Sequence, residues 1–335
     1  YGSDIKIINT LALRDDEEGA QRLFDDFIAA IKEIPGDELT FRDWLDKHTG
    51  NDDVKKLFQG FCAALMGTNM HEIPAGEFFR FLAYSSRGSR FGMAVNGNAG
   101  MMESLGSKIE ERGSRILRHT NCREILVENG TATGVSVKSK ELGEVDYECD
   151  TVLSNLGPER TIALAGGRDS FDTDYLAELD AWPHEAPIFH ISFVTDEPLI
   201  EGFDGCMVFG NTQNFIYLEI PSNISPGLAP PGRYLHTAYG APSDAANADL
   251  QVELQNTLRE IEANFPGKLD DATFLVRARH SGNGPGMHRW AGHMMPVTTP
   301  IANLYNVGDG ATPPGTIGTE GAAASAREAV RHILG

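Results

Sequence analysis

Hydrophobic residues recur at spacings of three and four along most of the first ninety positions. In "LFDDFIAAIKEI", Leu23, Phe24, Phe27, Ile28, Ile31 and Ile34 share one helical face, and Pro35-Gly36 marks its end. "LTFRDWLDKHTG" repeats the pattern, with Thr40 placed to cap the start and Gly50 to stop it. "DDVKKLFQGFCAALMG" makes a third such segment, closed by Gly67. A helical cap is the expectation for this part. The texture changes near Asn96. "GNAGMMESLGSKIEERG" predicts a helix carrying Met101, Met102, Leu105 and Ile109 on one side. Short β-branched runs punctuated by Gly and Asn-Gly follow, which predicts a small antiparallel meander. "DTVLSN" reads as a strand stopped by Gly157-Pro158.

From Ile188 to His280 the apolar runs lengthen: "IFHISFVT", "FIYLEIPS", "RYLHTAY" and "ATFLVRARH". In the first, Phe189, Ile191 and Phe193 alternate with His190, Ser192 and Val194, the period of a strand with one buried face. One helix interrupts these strands, with Leu250, Leu254, Leu258, Ile261 and Phe265 along one side. The second half is thus expected to be an α+β lobe with a sizeable sheet.

The 335 residues exceed what a single core usually organises, so two lobes are expected. A formal net charge of -20 disfavours nucleic acid and electrostatic docking on anionic membrane. Cys62, Cys122, Cys149 and Cys206 are scattered without a C-x-x-C pair, which fits thiols in a reducing cytoplasm. No apolar run is long enough to span a bilayer.

Conventional polar catalysis leaves no fingerprint. "HSGNGPGM" offers Gly282, Gly284 and Gly286, but the third glycine of G-x-G-x-x-G would fall on Met287 and no helical pattern follows. His280, His288 and His293 lack ligand spacing, so no metal site is expected. "FDTDYLAELD" has Ala177 where a calcium loop needs glycine, and reads as a helix start. No catalytic side chain can be named. The C-terminal "NLYNVGDGATPPGTIGTEGAAASAREAV" is more informative: a short strand, glycines at 308, 310, 315, 318 and 321, then an alanine-rich helix. Glycines let backbone approach a flat or anionic group, and the helix N-terminus faces it with unpaired N–H groups. Asp309 suits a sugar-chain hydroxyl better than a phosphate. A glycine-rich turn without a ligand is the plain alternative.

That C-terminal stretch resembles the flavin-binding signature of the phytoene desaturase-like flavoproteins. The group includes carotenoid desaturases and isomerases and the retinol saturases, and is related to the amine oxidases. "GNAGMMESLGSKIEERGSRILRHTNCREILVENGTATGVSV" and "ECDTVLSNLGPERT" resemble the same family in the same order. The resemblance implies FAD and a discontinuous flavin domain of the glutathione-reductase-like type, joined to a mixed-sheet substrate domain and a helical cap. It divides the chain into residues 1–95 (cap), 96–165 (flavin domain), 166–295 (substrate domain) and 296–335 (flavin domain).

By the same resemblance Gly308, Asp309 and Gly310 lie by the ribityl and phosphate portion. Gly315, Thr316 and Ile317 follow, with backbone around Thr316 and Ile317 at the pyrimidine edge of the ring. Cys122 occupies the adenine-contacting position through its backbone, and Asn155 and Gly157 border the adenosine half. The family's opening strand, glycine loop and helix have no match between Tyr1 and Asn96. A truncated segment ahead of Tyr1 is the simplest expectation, and a natural half-protein a lesser one.

The implied chemistry is hydride transfer between flavin and a carbon of an apolar, isoprenoid- or polyene-like substrate. Phe78, Phe79, Phe81 and Tyr84 are candidates to line its tunnel, although so dense an aromatic run is more often core. A lipid-like substrate also calls for an apolar patch for peripheral membrane contact, against the repulsion of the net charge. An amine or amino-acid oxidase on the same scaffold, using the aromatic and arginine of "HRWAGHM", is one alternative. A flavin-free binding or scaffolding relative is another.

Overall fold

The computed structural model describes residues 16–87, 94–182, 185–203, 205–280 and 289–335. Among the described residues four helices come first: α1 (Glu17–Lys32), α2 (Phe41–His48), α3 (Asp52–Met66) and α4 (Ala75–Ser85). Helix α5 (Gly97–Glu111) precedes strands β1 (Thr120–Glu128), β2 (Thr131–Ser139), β3 (Gly143–Glu148) and β4 (Val152–Ser154). Helices α6 (Pro158–Leu164) and α7 (Thr173–Ala181) lead to β5 (Ile188–Thr195), β6 (Cys206–Val208) and β7 (Phe215–Glu219). Then come the single turn α8 (Pro221–Ile224), β8 (Tyr234–Gly240), α9 (Leu250–Asn264), β9 (Thr273–His280), β10 (Leu304–Asn306) and α10 (Gly318–Leu334).

These elements form two units, each built from two stretches of chain: Tyr1–Asn98 with Glu185–Gly292, and Ala99–His184 with His293–Gly335. In the first unit, local chemistry fixes the helix ends. Thr40 and Asp43 form a reciprocal capping box at α2, and Gly67, at φ 69°, ends α3 in the left-handed conformation. Helix α1 begins at the Asp16 cap, whose carboxylate accepts the Gly19 N–H at 2.8 Å. The apolar faces meet in an aromatic cluster in which Phe41 stacks on Phe78 at 3.6 Å and Phe27 meets Trp44 edge-on at 5.1 Å. Phe78, Phe79 and Phe81 are all buried. The tunnel expected from them is therefore corrected: they fill the core of the helical part, as rings packed edge to face do.

The same unit contains an antiparallel sheet in the order β6-β7-β8-β5-β9. Phe189, Ile191, Phe193, Leu218 and Ala238 on one face pack with Leu254 and Ile261 of α9. All four strands expected here are present; β6, three residues long, adds a fifth.

In the second unit β1, β2 and β3 form the meander, turning at Asn129 and Gly130, both with positive φ (50° and 75°). Strand β10 returns beside β4 in parallel, pairing Leu304 with Val152 and Asn306 with Ser154. Ile125, Val152, Ile162, Phe171, Tyr175, Leu179, Met295, Ile301 and Leu304 make one buried cluster. Phe171, Tyr175 and Leu179 thus belong to this core, although 165/166 was the expected boundary. The contact division falls at His184/Glu185 instead. Helix α5 forms where expected, yet none of its residues is buried, and Met102, Leu105 and Ile109 are about half exposed. No described element covers its apolar stripe.

Candidate functional site

Two strand ends lie side by side in the second unit, and each feeds a turn into a helix. Parallel pairing brings the carboxyl end of β4 next to that of β10, which is where α/β sheets collect ligands. After β4 the chain passes through Asn155 and Gly157. Gly157, at φ 83°, precedes Pro158 in the first turn of α6. After β10 it enters the loop Val307–Ile317, tied down at both ends. The Val307 N–H donates to the Ser154 carbonyl at 2.9 Å, and the Gly308 N–H to the buried Ser325 hydroxyl of α10 at 2.8 Å.

Glycine is required at particular points. Gly308 has φ 83°, and a Cβ there would stand 2.7 Å from the Asn155 side-chain oxygen. A Cβ at Gly321 would stand 2.9 Å from Thr312, so the loop lies directly on the first turn of α10. Gly310, also at positive φ, uses its carbonyl to accept the Met295 N–H at 2.8 Å. The Thr316 hydroxyl donates to the Pro313 carbonyl at 2.6 Å, fixing the last turn before the helix. Asp309 is half-buried between its two glycines.

The loop leaves polar capacity unused. Thr312 is buried, and its hydroxyl oxygen has no hydrogen-bond partner among the described residues. The N-cap of the seventeen-residue α10 is Ile317, which supplies no side-chain cap. The helix therefore presents its first N–H groups and positive dipole end at the loop. Gly315, Thr316 and Ile317 lie at this terminus, with Gly315 again at positive φ.

Cys122 lies on a different sheet, opposite Val137 in β1–β2 and beside a β-bulge. Its thiol reaches the Glu124 carbonyl at 3.6 Å, and burial pushes it up from the ordinary thiol range. At neutral pH it is therefore a weak nucleophile.

Other sequence candidates fall elsewhere. Gly282, Gly284, Gly286 and His288 lie outside the described residues. Trp290 and Arg289, the aromatic and cation of the amine-oxidase reading, are both buried, and the Trp290 indole N–H donates to the Glu185 carbonyl at 2.7 Å. Among the described residues no strand–glycine loop–helix of the G-x-G-x-x-G type occurs. No described helix is long and apolar enough to cross a membrane.

Sequence reading missed a second constellation, in the first unit. The sheet face away from α9 carries His190, Ser192, Tyr217, Glu219 and Tyr239. The Tyr217 hydroxyl donates to Glu219 at 2.8 Å, and Ser192 and His190 share a hydrogen bond of 2.8 Å. Burial, then the charge of Glu219, pushes Tyr217 far up; burial alone raises Glu219 against the Tyr217 bond; burial, then His280, lowers His190. The alternation in "IFHISFVT" was the available signal, and it named the buried half of the strand rather than this half.

The arrangement of loop, helix and parallel strands has counterparts. The family model of the flavin containing amine oxidoreductases matches residues 11–334. The chain is 22% identical over 300 residues to Uncharacterized protein MJ1488 of Methanocaldococcus jannaschii, covering 88% of this chain and 67% of that one. The fold superposes on the crystal structure of an oxidoreductase from Methanosarcina mazei with a TM-score of 0.85 at 23% identity, over 94% of this chain and 73% of that one. It also superposes on reduced UDP-galactopyranose mutase with a TM-score of 0.60 at 12% identity, over 95% and 73% of the two chains.

Proposed function

Because the chain belongs to the flavin containing amine oxidoreductase family, with FAD as its cofactor, we propose that it oxidises or reduces a carbon of an apolar, isoprenoid- or polyene-like substrate. FAD supplies the hydride acceptor or donor at its ring N5; the protein supplies position, polarity and exclusion of water. The observation that carries this reading is the glycine loop after β10, which runs into an uncapped helix. The uncapped start of α10 and the unpartnered Thr312 hydroxyl fit a polar-edged group lying on the loop.

In this reading Gly308, Asp309 and Gly310 hold the ribityl and phosphate portion. Asp309 accepts from sugar-chain hydroxyls, which a carboxylate does readily and a phosphate neighbour would not reward. The N–H groups from Gly315 to Ile317, with the dipole of α10, favour negative charge on the reduced ring. Asn155 and Gly157 border the adenosine half, and Cys122 contacts the adenine through its backbone.

The test is an absorption spectrum of the purified chain titrated with FAD, followed by anaerobic addition of conjugated isoprenoids. Stoichiometric flavin that bleaches with such a compound is the expected result. A folded chain that takes up no flavin would sink the reading and leave a binding or scaffolding role.

A further inference from the structure

The face of the five-stranded sheet opposite α9, over whose β6, β7 and β8 side α3 packs, is an ordered array. Strand pairing sets His190 opposite Tyr239 and Tyr239 opposite Tyr217. Two residues along, Ser192 is opposite Thr237, Thr237 opposite Glu219, and Glu219 opposite Cys206. Rings make the first row continuous. Centroids are 6.2 Å apart for His280 and His190, 5.5 Å for His190 and Tyr239, and 5.3 Å for Tyr239 and Tyr217. Their planes are inclined to one another by 36°, 27° and 43°. At the usual strand spacing the row crosses roughly 14 Å from β9 to β7.

A solvated sheet face is the ordinary explanation of polar residues in such positions. It does not suit this one. Apart from the exposed Cys206 on the edge strand, the side chains are half-buried or buried, and burial opposes the charged form of Tyr217, Tyr239, Glu219 and His190 alike. Groups so perturbed, gathered on one surface, mark binding sites more often than wet faces. Ala63 and Ala64 of α3 pack with the two tyrosines at one end of the row.

The chemistry of the array selects its occupant. None of the β5–β9 strand positions on this face is Lys or Arg; Arg277 and Arg279 alternate to the other face of β9. An anion would find no partner there. The single carboxyl is already engaged by Tyr217, and two histidines stand at the other end, so a cation is not served either. The Tyr239 hydroxyl has no hydrogen-bond partner among the described residues and can both donate and accept.

The geometry points to a binding face for a flat, conjugated, uncharged molecule that carries a hydroxyl or carbonyl oxygen, laid across β5, β8 and β7 with that oxygen on the Tyr239 hydroxyl. This names the substrate class of the proposed oxidoreductase; it rests on that reading for turnover, not for binding.

Four probes with one ring system separate shape from charge: naphthalenemethanol, methylnaphthalene, naphthoate and naphthylmethylammonium. Equilibrium dialysis against the FAD-loaded protein measures each, and absorption gives its flavin content. The alcohol is expected to bind at least tenfold tighter than either ion and several-fold tighter than the hydrocarbon. Tyr239→Phe should erase the advantage of the alcohol over the hydrocarbon while leaving hydrocarbon binding and flavin content unchanged. Equal or tighter binding of naphthoate or naphthylmethylammonium overturns the proposal, as does a Tyr239→Phe protein that still prefers the alcohol. If the chain holds no flavin but shows the expected order, the binding face stands and the oxidoreductase reading falls. Normal flavin content without that order has the opposite meaning.

Discussion

Gly308 and Asn155 close the site from its two strands: a Cβ on Gly308 would stand 2.7 Å from the Asn155 side-chain oxygen. The contact joins the turn after β10 to the turn after β4, so the loop and the strand pair act as one piece. Gly308→Ala adds that collision to a backbone at φ 83°, which costs a non-glycine residue about 1–2 kcal/mol. The variant should melt several degrees lower and hold FAD more weakly. Calorimetry and the flavin-to-protein absorbance ratio measure the two effects.

A single carboxylate organises the turn before β7. Glu260 of α9 accepts the N–H groups of Gln213, Asn214 and Phe215 at 2.8, 2.8 and 2.7 Å. Glu260→Ala leaves three donors without it and should destabilise the protein by about 3 kcal/mol. Glu260→Gln keeps one accepting oxygen and should lose less. Urea unfolding with an unchanged slope is the measurement; equal midpoints for wild type and Glu260→Ala would refute the assignment.

His236 is fully buried, stacks on Phe193 at 4.9 Å, and its Nε2 accepts the Leu199 N–H at 3.1 Å. Burial lowers its pKa to about 4, against the upward pull of the backbone at Tyr234 and Phe193 and of Asp271. Between its unfolded value, near 6.5, and about 4 the unfolded chain binds the extra proton, so stability falls as pH drops through that window. The loss attributable to this group is on the order of 3 kcal/mol. A His236→Phe protein should show a flatter dependence between those limits. Parallel curves for both proteins would rule the group out.

Leu105 tests the open side of α5. It is 54% exposed, on a helix with no buried residue. Leu105→Ser should change the stability of this chain by less than about 0.5 kcal/mol. It should also reduce binding of an apolar dye, because it breaks the stripe formed with Met102 and Ile109. A substantial fall in melting temperature would mean that a partner covers the stripe in solution.

Features encoded over a few residues were legible in the sequence. The Thr40 cap, the Gly67 stop, the Asn129-Gly130 turn and the alternation of Phe189, Ile191 and Phe193 each follow from neighbours in the chain. The boundary before Glu185 was not legible. Phe171, Tyr175 and Leu179 look like any short amphipathic helix until Met295, Ile301 and Leu304 return to cover them. Strand β6 is too short to show a period. The candidate flavin loop was visible because its glycines lie close together in the sequence, between positions 308 and 321. The array around Tyr239 was not, since it exists only when β5, β7 and β8 lie side by side, and strand order is not written in any one strand.

The return of β10 to β4 also sets an order of events in the cell. Ribosomes release a chain from its N-terminus, and domains generally fold as they emerge. The second unit cannot follow that rule. Val152 and Ile162 are synthesised long before Leu304, and β4 has no other described strand partner. Its edge and half-built core stay open until Leu304 has been made. Closure of this unit therefore waits for β10, and removal of β10 and α10 should leave a nascent chain dependent on chaperones rather than a smaller stable domain.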